Sequence, residues 1–167
     1  NDIASYDPVD MGWGDSNYID TVFASSTLDA QGKSTYEPKN VNDNKTTAWI
    51  EGVDGGGIAE SITIRFKKIN AAEPVTSITI YNGFQASEVT YQKNSRPKTI
   101  LLWINETAVY TLHLEDTMNG QRFLVDVQPE GEMPMTFRFE ILDVYVGSTY
   151  EDTGITEIQF DGIWSGI

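Results

Sequence analysis

The chain carries 167 residues and 18.6 kDa, the length of one ordinary domain, and no linker-like stretch divides it, so 1–167 reads as a single domain. Eleven Lys and Arg stand against 25 Asp and Glu, giving a net charge of −14 and a pI near 4.2, which argues against a nucleic-acid partner. Without Cys there is no disulfide, thiolate metal site or cysteine nucleophile, and no run approaches the roughly 18 apolar residues of a membrane helix, so no membrane span is expected.

The first sixty residues set Trp13, Tyr18, Phe23, Tyr36 and Trp49 among many Asp, Asn, Ser and Gly, a mixture that predicts long loops pinned by aromatic anchors. From Ser61 onward apolar and polar residues alternate with period two, the mark of strands that bury one face. Ser61–Phe66 puts Ile62, Ile64 and Phe66 on one face, and 75–81 does the same with Ile78 and Ile80. Strands are predicted next over 99–104, 109–114 and 122–127. Residues 136–141 alternate cleanly, 142–146 shift phase as a bulge or a bend would make them, and 155–163 supply a last strand. Gly, Pro, Asn and Asp clusters punctuate these runs at 70–74, 118–120, 129–131 and 147–148. The expectation is an all-β chain, a jelly-roll β-sandwich of about eight antiparallel strands with long N-terminal loops.

Three groups of residues invite a chemical reading. Asn40-Val-Asn-Asp-Asn-Lys-Thr-Thr-Ala-Trp49 crowds hard oxygen donors into a short span, which suits either a Ca²⁺ loop or an Asx-rich turn. It is not an EF-hand, because Lys45 occupies the invariant glycine position. Phe84, with Asn82, Asn94 and Arg96 around it, joins an aromatic face to amide and guanidinium donors; that set would suit a sugar, although Phe84 and Tyr91 could equally just pack. Paired acids, Glu51 with Glu60 or Asp152 with Glu157, have the chemistry of a two-carboxylate glycosidase, yet with 25 acids present chance pairs are expected. The lone imidazole, His113, lies between Leu112 and Leu114 and so faces away from the core, which leaves no nucleophilic triad and no multi-histidine zinc site.

Tyr36-Glu-Pro-Lys-Asn-Val-Asn-Asp-Asn-Lys-Thr-Thr-Ala-Trp49-Ile-Glu-Gly, Gly57-Ile-Ala-Glu60 and Val144-Tyr-Val-Gly-Ser-Thr-Tyr-Glu-Asp-Thr-Gly-Ile-Thr-Glu157-Ile together resemble the galactose-binding-like discoidin superfamily, and Thr47-Ala-Trp-Ile-Glu-Gly52, Asn82-Gly-Phe84, Lys93-Asn-Ser-Arg-Pro-Lys98 and Tyr150-Glu-Asp-Thr-Gly-Ile-Thr-Glu-Ile158 narrow it. Within it they are most similar to bacterial NADase-type glycan-binding modules, over residues 22 to 163. The resemblance implies a non-catalytic carbohydrate-binding module that attaches a secreted or surface protein of bacterial type, as an attached domain, to glycans. It also implies a structural Ca²⁺ held by Asn42, Asn44, Thr47 and Glu157, weakened by Asn at both positions where the superfamily pattern has Asp. A protein-interaction or adhesion module on the same sandwich is the alternative, and Trp13 with Tyr18 is the alternative platform for a sugar.

Overall fold

The computed structural model describes residues 1–4, 19–67, 74–130 and 134–162. Trp13, Tyr18 and the end of the last expected strand, Ile163, lie outside them.

Among the described residues ten strands form two sheets. They are β1 (Asp2–Ala4), β2 (Ile19–Ala24), β3 (Trp49–Ile50), β4 (Ser61–Phe66), β5 (Val75–Asn82), β6 (Arg96–Ile104), β7 (Thr107–His113), β8 (Gln121–Val127), β9 (Thr136–Tyr145) and β10 (Gly154–Gly162). The larger sheet has the order β1-β7-β6-β9-β4-β2 and the smaller β3-β10-β5-β8. The seven strands expected from alternation are all present. The structure adds three short ones in the segment expected to be loops, where β2 pairs along β4 and β3 along the start of β10. Pairing is antiparallel between the named strands except for β1, which runs parallel to β7 from Asp2↔Thr111 to Ala4↔His113.

Alternation explains the core. Ile62, Ile64, Phe137, Phe139, Ile141, Ile100 and Leu102 point inward from the larger sheet and meet Ile78, Ile80, Phe123 and Ile158 of the smaller, all of them buried. Burying one such side chain contributes about 1.5–3 kcal/mol, so this interface is the main source of stability. Phe66, Phe137 and Phe160 close one end of the core, with ring centroids 4.9 to 5.0 Å apart. The phase shift expected at Leu142 is a bulge in β9. Thr99 of β6 faces Asp143 and Ile100 faces Ile141, so Leu142 is squeezed outward and exposed.

Two further elements escaped alternation. A 3-10 turn spans Pro38–Asn42, and a six-residue helix α1 covers Glu88–Lys93. Ser87 caps α1 by accepting the N–H of Thr90, while the Thr90 hydroxyl accepts the N–H of Ser87.

Candidate functional site

Strand register gathers the loops. Asn82 faces Ile155, Ile50 faces Gly154 and Arg96 faces Tyr145, so the loops 51–60, 83–95 and 146–153 emerge at one end of the sandwich. A bridge between Ser95 and Thr153 ties two of them together.

At this end the groups expected to greet a sugar are arranged unevenly. Arg96 is 8 % exposed and commits every nitrogen to the fold. Its Nε and Nη2 donate to the two oxygens of Asp116 at 3.1 and 2.7 Å, and Nη1 donates to the carbonyls of Tyr91, Gln92 and Asn94. Its guanidinium carbon lies 4.9 Å from the Tyr91 ring centroid, and the Tyr91 hydroxyl donates to Asp116 at 2.6 Å. Burial pushes the Tyr91 phenol well above its ordinary value, helped by Asp116. Burial also pushes Asp116 upward, but hydrogen bonds from Arg96 and Tyr91 and the Arg96 charge outweigh it, so the carboxyl is held below its usual range. Gly83, at φ +67°, is what lets the chain pass this close: an added Cβ would fall 2.5 Å from Cγ of Arg96 and 2.9 Å from the Tyr91 ring.

Asn94 caps the end of α1, its side-chain amide donating to the Thr90 carbonyl at 2.9 Å. Asn82 is fully buried; its Nδ2 donates to Pro97 O at 2.8 Å and its Oδ1 has no partner. The expected donors Asn82, Asn94 and Arg96 therefore turn inward and stitch the loop, because amide and guanidinium groups suit buried carbonyls as well as they suit hydroxyls. Phe84 differs. It is half-buried and stands edge-on to Tyr36, with ring centroids 5.9 Å apart and an interplanar angle of 84°. Tyr36 belongs to the first sixty residues and had signalled only an anchor. Glu37 and Lys39 beside it form an exposed ion pair at 3.4 Å.

The Asn-rich loop lies against β10. Glu157, 3 % exposed, accepts the main-chain N–H of Asp43 at 3.2 Å on Oε1 and that of Asn44 at 3.1 Å on Oε2. Burial drives its pKa up to about 8; those N–H bonds oppose the shift, and the Asp43 carboxylate adds to it. Asp43 accepts the Lys45 N–H at 2.9 Å and a hydrogen bond from the Thr47 hydroxyl. The Asn40 amide closes the loop by donating to the carbonyls of Thr35 and Ala48, each at 3.0 Å. Of the residues expected to hold a cation, Glu157 thus meets the main chain of Asn44, Thr47 meets Asp43, and Asn42 lies in the adjoining 3-10 turn. The carboxylate that joins them is Asp43, which was not among the expected ligands. Two carboxylates, a hydroxyl and an amide oxygen form a hard donor set of the kind Ca²⁺ takes. No group of three or more His, Cys, Asp or Glu suited to a metal occurs among the described residues.

Three of the four acids considered for hydrolysis, Glu51, Glu60 and Glu157, have other partners. Glu51 is fully buried and accepts the N–H of Thr153 at 3.0 Å and of Val53 at 2.9 Å; burial raises its pKa, those two bonds oppose the rise, and the charges of Asp152 and Glu60 add to it. Glu60 accepts the Ser25 hydroxyl at 2.9 Å. His113 is exposed on β7, as expected, with Nε2 3.7 Å from Asp2.

The structure resembles two carbohydrate-binding domains, CBM32-1 and CBM32-2, of ZmpB from Clostridium perfringens, solved alone and in complex with GalNAc. The complex aligns with a TM-score of 0.60 at 14% identity over 90% of this chain and 34% of that one. The unliganded form gives 0.58 at 14%, over 90% and 35%. A mutant arabinofuranosyltransferase AftD from Mycobacteria aligns at 0.58 and 13%, over 89% of this chain and 11% of that one. The chain therefore spans about a third of the ZmpB structure and about a ninth of AftD. No curated protein matches the sequence. The family model for the NAD glycohydrolase translocation F5/8 type C domain matches residues 13–161, and the chain belongs to that family.

Proposed function

We propose, from its membership in the NAD glycohydrolase translocation F5/8 type C domain family, that the chain is a non-catalytic carbohydrate-binding module acting outside the cell, where it brings an attached protein to glycans. The observation that carries this reading is the half-exposed Phe84, standing edge-on to Tyr36 at the loop end of a sandwich whose relative from ZmpB was solved with GalNAc. A sugar presents an apolar C–H face ringed by hydroxyls, and an aromatic pair flanked by the Glu37–Lys39 ion pair offers both halves of the match. In this reading Phe84 and Tyr36 form the platform, and Asn82, Asn94 and Arg96 hold its loop rigid from below. The absence of catalysis is supported by Glu51 and Glu157 each spending both carboxylate oxygens on main-chain N–H groups.

A structural Ca²⁺ belongs to the same proposal. Asn42, Asp43, Asn44, Thr47 and Glu157 would hold it, and the ion would supply the positive charge that a buried Glu157 lacks, fastening the loop to β10.

The test is a broad glycan array probed with the folded domain in calcium-containing buffer, followed by titration of each hit. Binding to a defined sugar class supports the proposal; a blank array with protein of native circular dichroism overturns it.

A further inference from the structure

Eight large apolar side chains are exposed among the described residues, and six of them sit at the loop end: Val53 and Ile58 after β3, Val89 on α1, Leu142 at the β9 bulge, and Val146 and Tyr150 after β9. Ile58 is 54% exposed and Val146 69%. Single exposed apolar residues need no explanation, but a group gathered on one end does.

These side chains ride on loops that the backbone fixes. The Ala59 N–H donates to Ile141 O at 2.8 Å, which sets Ile58 beside the bulge, and the Thr153 hydroxyl donates to Gly56 O at 2.7 Å. Gly147 N–H donates to the Ser95 hydroxyl at 2.9 Å, and Tyr150 N–H to Lys93 O at 2.8 Å. The face is already ordered, so a partner would pay little conformational entropy to use it.

Its charge is mainly negative. Segments 51–60 and 141–153 present Asp54, Glu60, Asp143, Glu151 and Asp152 and no Lys or Arg, while the adjoining Lys93 and Lys98 answer only part of that charge and Glu88 adds to it. Burial and the neighbouring charges of Asp54 and Glu151 raise the pKa of Asp152, a sign of crowded negative charge that a cation would relieve. Two copies of this face would repel each other, and a neutral sugar would leave the charge unanswered.

We propose that this face docks a protein segment in which Lys or Arg side chains surround apolar ones. It is a site separate from the Phe84–Tyr36 platform and does not depend on the glycan reading.

The experiment uses three labelled synthetic peptides of equal length, Lys/Leu, Lys/Ser and Glu/Leu, titrated by fluorescence anisotropy against the chain and its variants. The Lys/Leu peptide is expected to bind, to weaken roughly tenfold with the I58S/V146S double variant, and to weaken with E151K, while L124S on β8 leaves it unchanged. Raising salt from about 0.05 to about 0.3 M should weaken it further. The proposal is overturned if the Lys/Ser peptide binds as tightly as Lys/Leu, or if both I58S/V146S and E151K keep full affinity in folded protein. A dimer seen by sedimentation that I58S/V146S abolishes would also overturn it and give the face to a second copy of the chain.

Discussion

Oε2 of Glu157 accepts the main-chain N–H of Asn44 at 3.1 Å, joining residues 113 apart in sequence. The same carboxylate takes the Asp43 N–H on its other oxygen, so one buried acid fastens the Asn-rich loop to the last strand. Its pKa rises from 4.5 to about 8, and the folded state therefore binds more protons than the unfolded one between those values. The contribution of this group is full below about pH 4.5 and declines as pH rises through about 8. Urea melts of Glu157→Gln should lack that decline. At pH 5, where Glu157 is protonated, the variant should lie closer to the wild type, because a carboxylic acid and an amide each present one carbonyl oxygen to the two N–H donors. A wild-type stability that is flat from pH 5 to 8 would contradict this assignment.

If Ca²⁺ fills the same place, its affinity rises with pH, since the ion takes the carboxylate and displaces the proton. Added Ca²⁺ should then raise Tm more at pH 8 than at pH 5, and Glu157→Gln and Asp43→Asn should each reduce the gain. Equal melting curves in chelator and in millimolar calcium at pH 8 would leave the loop to its own hydrogen bonds.

Phe84→Ala should weaken binding to any glycan found on the array by at least about tenfold, with Tm changed by only a few degrees, because the ring is half-exposed. Tyr36→Ala should act in the same direction. Calorimetric titration reads the first effect and thermal melting the second.

Arg96→Ala should cost about 3 kcal/mol in urea denaturation, since it strands Asp116 and three carbonyls. Arg96→Lys should rescue little, because an ammonium cannot reproduce the two-pronged contact with Asp116.

Gly57→Ala should destabilise by more than about 1 kcal/mol. The residue sits at φ +72°, and an added Cβ would fall 2.5 Å from the Glu51 side chain that holds Val53 and Thr153.

Period-two alternation made the core legible in advance, since Ile62, Ile64, Ile78, Ile80, Phe137 and Phe139 follow directly from it, and so does the bulge at Leu142. β2 was hidden because it lies at a sheet edge, where Asp20 and the exposed Phe23 break the pattern. α1 is too short to show a helical period, and its capping box carries Thr90 where Glu or Gln is the usual signal. The inward turn of Asn82, Asn94 and Arg96 could not be read, because residue type names a donor without naming its acceptor. Tyr36 meets Phe84 across 48 positions, a pairing that only the folded chain reveals.

β10 is the last strand in sequence and an inner strand of its sheet, lying between β3 and β5. The smaller sheet therefore cannot close until Gly154–Gly162 is available to pair with β3 on one side and β5 on the other. Until then the apolar faces of Ile78, Ile80 and Phe123 lack the cover of Ile158 and Phe160, so a stalled or clipped nascent chain would be a natural client for chaperones.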